Sequence, residues 1–350
     1  MPEITLNNLT RRFPNGAGIG PLSLTIGNGE HFVIVGPSGA GKTTLLRLIA
    51  GLEKPDSGTI HFDGRDVTGE PPHQRLISFV AQRPALYPHL NVRDNLAAGV
   101  KLRQSSGKLW RRLLRRPDPV SANELALRVA TAADWLRLTP LLDRRVQTLS
   151  GGEQQRVVLG RAAVSQHPLW LLDEPLEHLD PEVRQSIRAE LLLLRERLGP
   201  TMIEVSHDPV DALQLGYRVA VIFEGRIEQV GPPAEVYARP ASRCVATSLG
   251  WPPMNFIEGT RAAPGGDGEI LGVRAEDLAL GSGGIDLGLW RIERVDPLGI
   301  AGLWTMIREG QRIQRWARPG EMTTEMVRLS VARDRCHRFD AKTGRRIERS

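Results

Sequence analysis

The stretch "VGPSGAGKTT", residues 35–44, constrains this chain more than any other. Gly36 is followed by four residues and then by Gly41-Lys42-Thr43. The residues before it, His31 to Val35, form a mostly apolar run of the length of one buried strand. After it, Thr44 to Ala50 follow a helical pattern, Gly51 stands where a helix would stop, and Pro55 comes next. Strand, glycine loop and helix in that order aim successive N–H groups into a concavity suited to anions. The helix N-terminus adds partial positive charge. Gly36, Pro37, Ser38, Gly39, Ala40, Gly41, Lys42, Thr43 and Thr44 are therefore the candidate triphosphate cradle. Within it, Lys42 is placed to reach the β- and γ-phosphates, and the Thr43 hydroxyl can serve a Mg²⁺ ion.

The remaining constraints are broader. A chain of 350 residues allows one large domain or two. Cys244 and Cys336 form no spacing pattern and read as free thiols. The N-terminus, "MPEITLNNLT", lacks a basic-then-apolar leader, and no apolar run approaches bilayer length. The expectation is a chain that is soluble by itself and that another protein would hold at any membrane it works on. Its net charge of +6 is concentrated, with seven Lys or Arg and no acid in residues 101–116, "KLRQSSGKLWRRLLRR". That run reads first as a solvated insertion, and contact with anionic headgroups or a membrane partner is its functional alternative.

Apolar strands and helical segments alternate to about residue 235, which predicts an α/β domain over 1–235 with a largely parallel sheet. Leu169–Leu172, Met202–Val205 and Val219–Phe223 are expected strands, and Glu224-Gly225 an expected hairpin turn. Asp180-Pro181 predicts a helix start, followed by a core stripe of Val183, Ile187, Leu191, Leu194 and Leu198 up to Gly199. Residues 91–165 are helical in pattern and predict a separate lobe. From 236 to 350 prolines and turn-rich segments separate short β-like runs, which predicts a smaller all-β domain.

Four further stretches carry chemistry: "AQRPALYPH" with Gln82, "LSGGEQQR" from Leu149 to Arg156, "LWLLDEP" with Asp173 and Glu174, and "VSHD" with His207. Asp173, at the end of a buried strand, suits a Mg²⁺ ion held through water. Glu174 suits a general base toward water. His207 at a neighbouring strand end can donate to a γ-phosphate and hold Glu174 or the water in place. Gln82 has a donor and an acceptor, and its oxygen can serve the metal. In this order the motifs resemble the ATP-binding subunit of an ABC transporter, with "LSGGEQQR" the most discriminating. The resemblance implies a P-loop fold with a RecA-like core sheet and a helical lobe, and ATP and Mg²⁺ as cofactors. It implies an adenine-stacking role for Phe13. It also implies that Ser150, Gly151, Gly152 and Gln154 bind the ATP of a second subunit, that Asp180 lies in a dimer loop, and that two copies close on two ATP molecules.

This sequence departs from the family at Glu177, where a small residue is common, at Ala81, and in a longer segment between Gln82 and the signature. The Glu177 departure is expected to touch contact across the dimer and to leave the chemistry alone. The C-terminal stretches "MNFIEG", "LGVRAEDLAL" (Ala275 in place of proline) and "HRFDAKTGRRI" resemble the maltose-type importers and their oligonucleotide-binding-type β-barrel. That implies import of a sugar, polyol or glycerol-phosphate-like solute. The implied partners are permease subunits and, indirectly, a solute-binding protein, and the implied location is the cytoplasmic face of the cell membrane. Import of polyamine, ferric ion or an oxyanion is the alternative. A nucleic-acid ATPase of this class would split the cassette with a long coiled coil, whereas only 107 residues (43–149) separate Lys42 from Ser150, with no heptad run.

Overall fold

The computed structural model describes residues 1–105, 120–258, 268–299, 301–318, 320–321 and 325–347. The chain divides into two compact units, Met1–Ile227 and Glu228–Ser350. The change of texture noted near residue 235 falls later than this division, which lies within an edge strand. Most of the basic run, from residue 106 on, lies outside the described residues, while Lys101 pairs with Asp94 at 2.8 Å.

The first unit contains two sheets. One is antiparallel, ordered β2 (Gly18–Ile26), β1 (Ile4–Arg12), β4 (Ser57–Phe62) and β5 (Arg65–Asp66). Sequence analysis did not anticipate it, although "LSLTI" at 22–26 alternates, with Leu22, Leu24 and Ile26 buried. The other sheet contains β3 (His31–Val35), β6 (Ile77–Val80), β7 (Leu169–Asp173), β8 (Thr201–Val205) and β9 (Arg218–Phe223), with β10 (Arg226–Gly231) at its edge. Strands β6 to β7, β7 to β8, β8 to β3 and β3 to β9 all pair in parallel. All five residues of β3, β7 and β8 are buried, as expected for central strands covered on both faces. The Glu224-Gly225 hairpin forms with both residues at positive φ, 47° and 74°.

The helix Lys42–Ala50 follows β3 and ends at Gly51, whose φ of 73° closes it. Between β6 and β7 the helices Val92–Ser105, Ala122–Trp135 and Gly151–Ser165 pack on one another. The helix Pro181–Leu198 buries Ile187, Leu191 and Leu194 on its stripe. Asp180 occupies the expected cap position, but its side chain makes no cap hydrogen bond, so Pro181 at the first turn carries the start signal. No described helix is long and apolar enough to cross a membrane.

In the second unit every described pairing is antiparallel. One sheet contains β11 (Asn255–Ile257), β12 (Glu269–Val273) and β18 (Cys336–Asp340). The other orders β13 (Leu278–Leu280), β17 (Met326–Val331), β14 (Ile285–Leu298), β15 (Ala301–Arg308) and β16 (Gln311–Ala317). Ile257, Leu271 and Val273 from the first sheet share a core with Trp290, Trp304 and Leu329 from the second. Arg274 of "VRAED" is buried and donates to the carbonyls of Tyr237, Ala246 and Leu249, fastening the short helices of this unit to β12.

Candidate nucleotide-binding and hydrolysis site

The phosphate loop leaves the end of β3, a fully buried central strand. Gly36 has φ 152°, and a Cβ there would meet the Ile222 carbonyl oxygen at 2.1 Å, so the close approach of β9 admits only glycine. Gly41, at φ 98°, is barred from a side chain by Ile19 Cγ2 at 2.2 Å, whereas Gly39 faces open space. Gly36, Pro37, Ser38, Gly39, Ala40 and Gly41 thus form a turn fixed at both ends by neighbouring strands. Lys42, Thr43 and Thr44 begin the helix behind it.

Lys42 is buried and folds back onto the loop, donating from Nζ to the carbonyls of Gly36 (2.8 Å) and Pro37 (3.0 Å). Burial pulls its pKa below the ordinary lysine value, against the opposing pull of Glu174, Asp173 and Glu177. A phosphate arriving in the loop would relieve that deficit of negative charge. Thr43 donates its hydroxyl to Asp173 Oδ1 at 3.0 Å. Asp173 ends β7 and is buried, which raises its pKa despite the Thr43 bond.

Glu174 follows with φ 49°, its N–H held by the Val205 carbonyl of β8 at 2.9 Å. That bond fixes the residue just past the strand end. Its carboxyl is pushed up by burial and then by the neighbouring Glu177. Gln82, beyond β6, donates from Nε2 to Glu174 Oε2 at 3.0 Å and to Glu177 Oε2. His207, beyond β8, is half exposed and places Nδ1 3.7 Å from Glu174 Oε1 and 3.8 Å from Glu177 Oε1. Asp208 and Ser206 on either side of it are anchored, Asp208 to Arg184 and the Val210 amide, Ser206 to Asp211. Three separate strand ends thus bring Gln82, Glu174 and His207 into one cluster.

Glu177 belongs to that cluster as well. Sequence analysis confined its effect to contact across a dimer, but its carboxylate holds Gln82 and flanks His207. Burial acts to raise its pKa and is outweighed by its hydrogen bonds with Glu174 and Gln82, so it stays below the usual range. Nothing in the "LEHLD" pattern reveals this contact, because it depends on how far the chain turns after Glu174.

The other sequence candidates lie apart. Phe13 sits in the turn after β1, and its ring carries the Arg11 guanidinium 5.0 Å from the centroid. The turn leads to Gly18 and Ile19, which flank Gly41. Ser150 caps the helix Gly151–Ser165 in a reciprocal box with Glu153, its N–H donating to Glu153 Oε2 at 2.8 Å. Gln154 donates to the Leu149 carbonyl, so both side chains bond within their own segment. Gly151 faces open space, whereas Gly152 packs on Val183. Asp180 is exposed at the head of the helix Pro181–Leu198.

The fold recurs in known ATP-binding cassettes. A cassette in its ADP conformation, described as part of an ABC transporter, superposes with TM-score 0.58 at 24% identity, covering 69% of this chain and 96% of its own. The cbiO1 protein from Clostridium perfringens, part of the transporter complex cbiONQ, gives TM-score 0.58 at 26% identity, covering 67% and 90%. A sequence family described as "ABC transporter" matches residues 19–177. Full-length relatives are more similar in sequence. The sn-glycerol-3-phosphate import ATP-binding protein UgpC of Ruegeria pomeroyi is 39% identical over 365 residues, 99% of each chain. The protein of the same name from Rhodopseudomonas palustris strain BisB5 is 38% identical over 378 residues, covering 99% of this chain and all of the relative. A phosphate loop backed by strand-end carboxylates, in a chain 39% identical to such relatives over 99% of its length, makes this chain a member of the ABC transporter family, one of its ATP-hydrolysing subunits.

Proposed function

We propose that this chain powers import of sn-glycerol 3-phosphate or a closely related sugar or polyol phosphate. The observation that carries the solute class is the full-length match to import ATP-binding proteins bearing that name, 39% identical over 99% of both chains. The chain would act at the cytoplasmic face of the membrane as a peripheral homodimer on permease subunits, fed by a solute-binding protein. Its second unit, two antiparallel sheets around one core, fits an oligonucleotide-binding-type barrel used for dimer contact and regulation. Residues 1–235 would form the ATPase domain, with residues 91–165 as its helical lobe.

In this reading the amides of residues 36–44 and Lys42 hold the phosphate chain, and Phe13 stacks on the adenine. Thr43 and Asp173 fit Mg²⁺, because a hydroxyl and a carboxylate oxygen already meet at 3.0 Å in a half-buried setting. With Gln82 they would hold the ion, which when bound neutralises charge on the phosphates. Glu174 takes the proton from the attacking water. His207 orients Glu174 and donates to the γ-phosphate. Gln82, released from its present bonds to Glu174 and Glu177, joins the hydrolytic cluster to its own exposed loop. Ser150, Gly151, Gly152 and Gln154 meet the nucleotide of the partner copy, and the Asp180 loop lines the seam. Ser150 and Gly151 are exposed, as residues that serve another subunit should be.

Two measurements check this. Ser150→Arg is expected to leave ATP affinity of the isolated chain within about twofold, since it lies outside the chain's own cradle, and to reduce turnover about a hundredfold or more. Equal turnover would remove the cross-subunit role. Disrupting the gene in its host is expected to abolish uptake of radiolabelled sn-glycerol 3-phosphate. Retained uptake, with loss of polyamine, ferric-ion or oxyanion uptake instead, would overturn the solute assignment.

A further inference from the structure

Glu177 gives the hydrolytic cluster a second set of metal ligands. Glu174, Glu177 and His207 each offer one atom, and the three atoms lie within 4.8 Å of one another. His207 Nδ1 stands 3.7 Å from Glu174 Oε1 and 3.8 Å from Glu177 Oε1. A tetrahedral centre with bonds of about 2.0–2.2 Å needs ligand atoms about 3.3–3.6 Å apart. His207 therefore needs to shift by only a few tenths of an ångström to meet that spacing with both carboxylates. His178 Nε2 pairs with the other Glu177 oxygen, Oε2, at 3.6 Å and lies outside this three-atom cluster, so water would fill the fourth position.

The surroundings permit it. The three residues line one cleft. Arg184 lines the same cleft, but its charge is met by Asp208 at 3.2 Å. Gln82, which bonds both carboxylates, is exposed, and zinc would take its place on them. A mixed imidazole and carboxylate set favours Zn²⁺ over Mg²⁺, which demands near-octahedral oxygen and retains its waters. We propose that Glu174, Glu177 and His207, with water in the fourth position, bind one Zn²⁺ in the nucleotide-free chain and thereby hold the hydrolytic carboxylate out of action. This site is distinct from the Thr43–Asp173 pair assigned to Mg²⁺. It depends on Glu177, where a small side chain would leave only two fixed ligands.

The test is calorimetric titration of the full, nucleotide-free chain with Zn²⁺ in a weakly coordinating buffer containing excess Mg²⁺. One ion per chain is expected. Glu177→Ser should weaken binding at least about tenfold, while Thr43→Ala keeps wild-type zinc affinity. Co²⁺ substituted for Zn²⁺ should give the visible absorption of a four-coordinate centre in the wild type and lose it in Glu177→Ser. Zinc binding absent from the wild type, unchanged by Glu177→Ser, or lost in Thr43→Ala would overturn the proposal. Neither ATP nor permease is present, so the outcome does not depend on the transport reading.

Discussion

Glu174→Gln is expected to bind ATP with near wild-type affinity and to lose turnover by about 10²–10⁴-fold, the usual contribution of a positioned base. The substitution keeps the shape and the 2.9 Å hydrogen bond from its N–H to Val205, so the strand end stays in place. It replaces the basic carboxylate, which accepts the proton of water, by an amide that cannot. Because ATP is then bound and not consumed, the variant should accumulate as a closed dimer in gel filtration with ATP and Mg²⁺. Phosphate release near the wild-type rate would reassign the base. The wild type carries a related signature. Burial and Glu177 hold the Glu174 carboxyl above the ordinary carboxyl range. A protonated carboxyl cannot accept a proton, so turnover should fall as pH drops through a limb lying above that range and recover as pH rises.

Lys42→Ala is expected to weaken ATP binding about 10–100-fold, as loss of a charge-assisted hydrogen bond to phosphate predicts. The stability of the apo chain should change less. Lys42 Nζ now bonds only to the Gly36 and Pro37 carbonyls, at a site where burial already penalises the charge. Equilibrium binding of a fluorescent ATP analogue reads the first effect and urea unfolding the second. Unchanged nucleotide affinity would show that the loop amides alone hold the phosphates.

Much of the site was legible because its signals are local. Gly36 and Gly41 mark backbone that a side chain cannot occupy, and the structure supplies the obstacles, the Ile222 carbonyl and Ile19. The capping box of Ser150 with Glu153 spans only four residues, a contact local enough for a sequence pattern to carry. The buried strands β3 and β7 announce themselves as mostly apolar runs, whereas β8 interrupts its run with Glu204, buried against His31 of β3 at 2.8 Å. The antiparallel sheet was not read, because its strands pair over register shifts at Leu6/Leu9 and Asn7/Thr10 that blur the period of two. Asp180 was read as a side-chain cap from its residue type, but the cap bond depends on a rotamer that the sequence does not encode.

The sequence by itself determined that this chain cradles a phosphate chain and ends strands in carboxylates beside it, since those patterns repeat short-range backbone geometry. Only the tertiary structure decided which carboxylates meet. Gln82, Glu174, Glu177 and His207 come together because parallel strands β6, β7 and β8 lie side by side and release their chains at one edge. Residues as far apart in sequence as Gln82 and Glu177 become hydrogen-bonded neighbours there, and no local pattern carries a contact of that range.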